Sequence, residues 1–94
     1  MYSYRLSIDA ENDMVRIYEY GFHKFGMIQA DKYYEALFEC FNKIASNPFM
    51  FPSAEHVKSG YHYCVCGVDT IYYRITHNTR VEIITIIGRQ DFPK

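Results

Sequence analysis

The chain has no run of about 18 consecutive apolar residues, so no segment reads as crossing a membrane. It does not open on a charged stretch followed by an apolar run, which removes a secretory leader from the reading. Only three cysteines occur, Cys40, Cys64 and Cys66, an odd number without framework spacing. That argues against a secreted disulfide scaffold, and a reducing, cytoplasmic setting is expected. Excess charge of either sign is also lacking. Ten Lys and Arg stand against eleven Asp and Glu, for a net charge of −1 and a pI of about 6.4. Proteins that grip phosphates draw on counterion release and are usually basic. Specific nucleic-acid binding is therefore not expected beyond a local patch.

What is present is enough for one compact domain spanning residues 1–94. Apolar residues make up 49% and aromatic residues 18%, sufficient for a core without staples. Charged residues, at 22%, are too few for a disordered chain. Residues 1–47 carry seven acids and five bases, and residues 48–94 carry four acids and five bases. The cationic balance thus falls on the C-terminal half.

Hydrophobic periodicity divides the chain into elements. Tyr2, Tyr4 and Leu6 alternate with Ser3, Arg5 and Ser7, as in a half-buried strand. From Ala10 the period becomes helical, with a stripe of Ala10, Met14, Ile17, Tyr18, Gly21, Phe22 and Phe25. Ser7 or Asp9 can cap this helix, and Gly26 ends it. A second helix over about Met27 to Ala45 carries Ala30, Tyr34, Leu37, Phe41 and Ile44, and stops at Ser46–Asn47–Pro48. So short a joint makes the two helices an antiparallel hairpin. The long loop that follows holds Phe49, Met50 and Phe51, which are expected to lie over the core. Three strands close the chain, Tyr61–Cys66, Thr70–Thr76 and Val81–Ile87. They are joined by turns at Gly67–Val68–Asp69 and His77–Asn78–Thr79. The last strand is apolar on both faces, which places it inside the sheet. The reading is an α+β fold: N-terminal strand, helical hairpin, then a three-strand antiparallel meander, with the helices on one sheet face. Tyr72, Arg74 and Tyr63 belong to the opposite face.

Cys64 and Cys66 form a C-x-C at strand spacing, so both thiols point to one face. Only His62 shares that period and no second ligand pair completes a site, so they read as two small buried apolar groups, with no metal. His23, His56 and His77 are scattered and define no triad. No cofactor is implied.

Four stretches stand out together, "YRLSIDAENDMVRIYEYGFHKFG", "QADKYYEALFECFNKIASNP", "GYHYCV" and "DTIYYRI" followed by "VEIITIIGRQD". In their order and spacing the chain resembles ParE-type toxins of the RelE/ParE superfamily, which include plasmid-stabilisation toxins of type II toxin–antitoxin systems. Ser7, Ala10, Asp13, Ile17 and Tyr20 fill the family's first motif, with Ile8 where proline is common. The resemblance implies a cognate ParD-like antitoxin whose flexible C-terminal segment folds onto the toxin. It also implies DNA gyrase as the target in the ParE branch, or cleavage of ribosome-bound mRNA in the RelE branch.

RNA cleavage needs groups that take the 2′-hydroxyl proton, protonate the leaving oxygen and stabilise the phosphorane. Arg74, Arg80, Arg89 and His77 are on offer, but no lysine lies between Lys58 and Lys94, and no His or Tyr follows His77. Many ParE-like chains have a histidine after the last strand; Gly88 stands there. Gyrase poisoning needs only a rigid surface with anchors. The target-binding candidates are Arg74, Arg80, Arg89, Gln90, Asp91 and Phe92, and no residue is assigned as catalytic. The plainer readings are a solvated Arg74 stacked on Tyr72, and Arg89 paired with Asp91. Ten Tyr and seven Phe exceed what so small a core encloses. Tyr18, Phe22, Tyr33, Tyr34 and Tyr72 are therefore the antitoxin-binding candidates, on a surface that a homodimer would use when the antitoxin is absent. A gyrase poison, a ribosome-dependent endoribonuclease and a non-toxic binding partner remain open.

Overall fold

The structure, a computed structural model, describes residues 3–77 and 79–88. Its elements run β1 (Ser3–Leu6), α1 (Ile8–Phe25), α2 (Met27–Ser46), β2 (Tyr61–Cys66), β3 (Asp69–Thr76) and β4 (Arg80–Gly88). The sheet order is β1-β4-β3-β2, so the doubly apolar β4 is central, as its composition requires. The meander β2-β3-β4 is antiparallel, and β1 joins it in parallel beside β4.

Local chemistry sets the helix ends. Ser7 caps α1, its Oγ accepting from the Ala10 N–H at 3.0 Å, and Asp9 and Glu11 lie in the first turn, where the helix dipole favours acids. Gly26 closes α1 by donating its N–H to the Phe22 carbonyl, and its own carbonyl accepts from Ala30 in α2. One residue thus makes the whole joint, at φ +90°, a backbone region in which side chains are strained. The helices then run antiparallel in close contact: a Cβ on Gly21 would lie 3.7 Å from Ala30 Cα.

Ala10, Met14 and Ile17 of α1 and Leu37, Phe41 and Ile44 of α2 are buried against Ile71, Tyr73, Val81, Ile83 and Ile86 of the sheet. Toward Gly26 the hairpin overhangs that core. Phe22, Phe25, Met27 and Ile28 are 44–70% exposed, so the apolar stripe of α1 continues past the surface it packs on.

Phe49 and Met50 correct the expectation that the long loop lies over the core, being 66% and 62% exposed. The chain turns directly after Pro48, whose ring is buried and whose carbonyl accepts the Tyr73 hydroxyl at 2.5 Å. That turn carries the next two side chains outward, and of the three only Phe51 packs inward, edge-on to Tyr73.

The cysteines bring a second correction. Cys64 and Cys66 do point into the core, but Cys66 is disulfide-bonded to Cys40 of α2, and Cys64 alone is a free thiol. Helix α2 crosses over β2 and brings the two together across 26 residues of sequence, with Cα atoms 6.5 Å apart. Burial raises the Cys64 thiol pKa, which keeps it protonated and unreactive.

Strand β4 outlasts its neighbour β1, whose last pair is Leu6 with Ile83. A bulge at Ile84 follows, since Tyr72 pairs with Thr85 but Tyr73 with Ile83. Beyond that point the first turns of α1 serve the free edge of β4. Ser7 Oγ donates to the Ile84 carbonyl at 2.6 Å, and Arg16 donates to the Ile86 carbonyl at 3.1 Å. Asp13 Oδ2 accepts from Thr85 Oγ1 at 2.7 Å and from the Ile86 N–H at 2.9 Å. Asp13 therefore holds helix to strand. Asp13→Ala strands a backbone donor and a hydroxyl at a half-buried site, an expected loss of about 2–4 kcal/mol. A urea midpoint equal to wild type would refute this role.

Candidate functional site

Two concavities stand out, one on each face of the molecule. The first lies along the hairpin, with a volume of about 670 Å³, between α1, the start of α2 and the β2–β3 turn. Tyr18, Tyr20, Phe25, Tyr33, Tyr34 and Val68 supply its walls. The rings brace one another: Tyr18 meets Tyr34 edge-on at 5.4 Å, and Tyr34 meets Phe38 at 5.1 Å. Phe22 lies against Tyr18 at 6.4 Å and extends this aromatic surface toward the hairpin tip. Lys24 is fixed on the rim by a hydrogen bond to the Tyr20 hydroxyl and by lying over the Tyr20 and Phe25 rings.

Tyr33 anchors the floor. Its hydroxyl accepts the Val68 N–H at 3.3 Å and lies 2.5 Å from buried Asp69 Oδ2 and 3.0 Å from the Cys66 carbonyl. This clamps α2 to the β2–β3 turn. Gly67 in that turn has φ +62°, and a Cβ there would come within 2.7 Å of the Tyr33 ring. Burial, and then the hydrogen bond to Asp69, push the Tyr33 pKa upward, and burial does the same for Tyr73. Tyr33 is thus held as a hydroxyl and does not serve as a base near neutrality. Both groups start from an ordinary value of 10.0 and bind their protons more tightly when folded. Their stabilising effect is complete below that value and is lost as pH rises above it. The buried Cys64 thiol, raised from an ordinary value of 9.0, adds the same effect one unit lower, so the urea midpoint is expected to hold up to about pH 8.5, to decline above about pH 9 and to fall further above about pH 10. A midpoint still flat at about pH 11 would contradict it.

The second concavity, of about 690 Å³, opens at one end of the sheet. Arg5, Arg74 and Arg80 line it together with Ser3, Thr76 and His77. Here Arg74 is not stacked on Tyr72. Its Nε donates to Glu82 Oε1 at 2.8 Å, while Arg5 donates to Glu82 Oε2 at the same distance.

The residues singled out in the sequence therefore separate. Tyr18, Tyr33 and Tyr34 share the aromatic groove, with Phe22 beside it. Tyr72 lies across the sheet with Tyr63, ring centroids 6.5 Å apart, and is no part of that groove. Arg74 and Arg80 share the basic cleft. Arg89, Gln90, Asp91 and Phe92 lie outside the described residues. Sequence reasoning missed Arg5, Glu82, Lys24 and Asp69. The alternation of β1 already put Arg5 opposite Tyr4 and Leu6, but nothing local announced that β1 would lie beside β4. Among the described residues no group of three or more His, Cys, Asp or Glu is placed to hold a metal, and no helix is long and apolar enough to cross a membrane.

A helical hairpin laid over one face of a four-strand, mostly antiparallel sheet is a RelE/ParE-like toxin fold. The solved structure described as the chromosomal ParDE TA system from P. aeruginosa shares it, with a TM-score of 0.82 over 94% of this chain and 96% of that one, at 16% identity. The family model for the ParE toxin of the type II toxin–antitoxin system, parDE, matches residues 4–92. Toxin ParE1 of Caulobacter vibrioides is 34% identical over 87 residues, covering 93% of this chain and 88% of that protein. Toxin ParE1 of Mycobacterium tuberculosis is 24% identical over 87 residues, covering 93% and 89%. The chain belongs to the ParE toxin family of type II toxin–antitoxin systems.

Proposed function

We propose that this toxin acts in the cytoplasm by binding DNA gyrase and holding it in one state, and that a ParD-like antitoxin silences it. The observation that carries the antitoxin half is the hairpin groove. Its aromatic walls run into exposed Phe22, Phe25, Met27 and Ile28, an apolar surface of the kind that an amphipathic helix covers. Family membership supports the gyrase half, and the Arg74–Arg80 face is the surface assigned to the target. Such poisoning needs differential binding of two enzyme states and no covalent step on the toxin.

A second reading draws on one feature of the cleft. His77 stands there beside three guanidiniums, the residue types that RNA cleavage uses. Induction in a bacterial host, with the DNA damage response and translation followed separately, distinguishes the two. An early damage response with translation intact is expected. Prompt translation arrest would select the endoribonuclease, and normal growth would leave only a binding partner.

A further inference from the structure

The sheet face turned away from the helices carries a row of charge across three strands. Arg5 of β1 pairs in register with Glu82 of β4, and Glu82 with Arg74 of β3. One carboxylate serves both cations, each of its oxygens accepting one N–H at 2.8 Å. The Glu82 side chain is only 11% exposed, whereas those of Arg5 and Arg74 are 56% and 50% exposed. Each guanidinium is therefore oriented from below by one of its five N–H donors and turns others toward solvent. Arg80 stands two residues before Glu82 on the same strand face and adds a third guanidinium, tied by Nε to Ser3 Oγ at 3.4 Å. Three guanidiniums thus line a cleft of about 690 Å³, two of them bridged to one carboxylate.

A guanidinium fork matches a planar oxyanion, and one already fixed loses little freedom when the anion arrives. The spacing indicates the form of the ligand. Residues two apart on a strand are about 6.6 Å apart and share a face. Arg80 on one side and the Arg5–Arg74 pair on the other repeat that interval along β4. Strand β1 is the sheet edge at this end.

We propose that the cleft docks an acidic, extended peptide segment of a partner protein, with carboxylates at alternate positions meeting Arg80 and the Arg5–Arg74 pair. The proposal rests on the reading of this face as the target-facing surface and names the chemistry it takes. Nucleic acid is disfavoured, because its affinity grows with the number of phosphates neutralised, and three arginines on a chain of net charge −1 neutralise few.

Fluorescence anisotropy with the purified full chain at low salt tests this. The probes are a labelled peptide of alternating Glu and Thr, the same peptide with Gln for Glu, and a labelled single-stranded DNA of about twelve nucleotides. The Glu peptide is expected to bind at least about tenfold more tightly than the Gln peptide. Arg74→Ala with Arg80→Ala should weaken it by about tenfold or more. Arg80→Ala alone, which leaves the Glu82 bridges intact, should weaken it several-fold with an unchanged melting temperature. Equal binding of the two peptides, binding indifferent to both variants, or DNA held more tightly than the Glu peptide would overturn the proposal. No gyrase enters the measurement, so a failed supercoiling assay would remove the target and leave this result standing.

Discussion

Phe22→Asp combined with Phe25→Asp is expected to abolish recovery of the antitoxin when the toxin is co-expressed with its neighbouring open reading frame. Both side chains are exposed, at 44% and 62%, on the overhang of the hairpin, so neither supports the core. Buried aromatic anchors at interfaces cost roughly 2–4 kcal/mol each when removed, and a carboxylate adds desolvation against the partner's apolar face. Even the lower figure, taken twice, weakens binding by about a thousandfold. Phe49→Asp with Met50→Asp is the control. These residues are as exposed but lie on the loop after α2, so the antitoxin should still co-purify. Undiminished capture by the Phe22, Phe25 variant, with its melting temperature intact, would remove the hairpin groove as the antitoxin surface.

The second large effect concerns stability. The Cys40–Cys66 bond closes a loop of 26 residues between α2 and β2. Constraining the unfolded chain over that length is worth about 3–4 kcal/mol in the loop-entropy account, a large share of the 5–15 kcal/mol typical of a whole domain. Cys40→Ala with Cys66→Ala is expected to lower the unfolding free energy by about this amount, and reductant should do nearly the same to wild type while leaving the double variant unaffected. Equal urea midpoints for wild type, reduced wild type and the variant would show that the bond contributes nothing. In a reducing compartment the pair persists as thiols, and the toxin then depends more heavily on its partner for stability.

These two sites differ in how much of them the sequence made legible. Surplus aromatics pointed to an apolar surface, and helical spacing set Tyr18, Phe22, Tyr33 and Tyr34 on the hairpin. The same counting also drew in Tyr72, although alternation in β3 already set it on the face away from the helices, where it lies beside Tyr63 and apart from the groove. Phe49 and Met50 misled for a related reason. Apolar content argues for burial, but the turn after Pro48 decides direction. The slots of the family's first motif take on a physical meaning in the structure. Ser7 caps α1 and reaches Ile84, Ala10 and Ile17 fill the core, and Asp13 secures the edge of β4.

Period, caps and breakers were enough to define the six elements, the single-glycine joint at Gly26 and the central place of β4. Each of these is settled by interactions within a few residues, or by apolarity on both faces. Only the folded chain decided which distant groups meet. Cys40 reached Cys66, Asp13 reached the Ile86 N–H, and Arg5 came to share Glu82 with Arg74 across 77 positions. No local periodicity encodes such encounters, because they depend on a parallel pairing of the first strand with the last and on the angle at which α2 crosses β2.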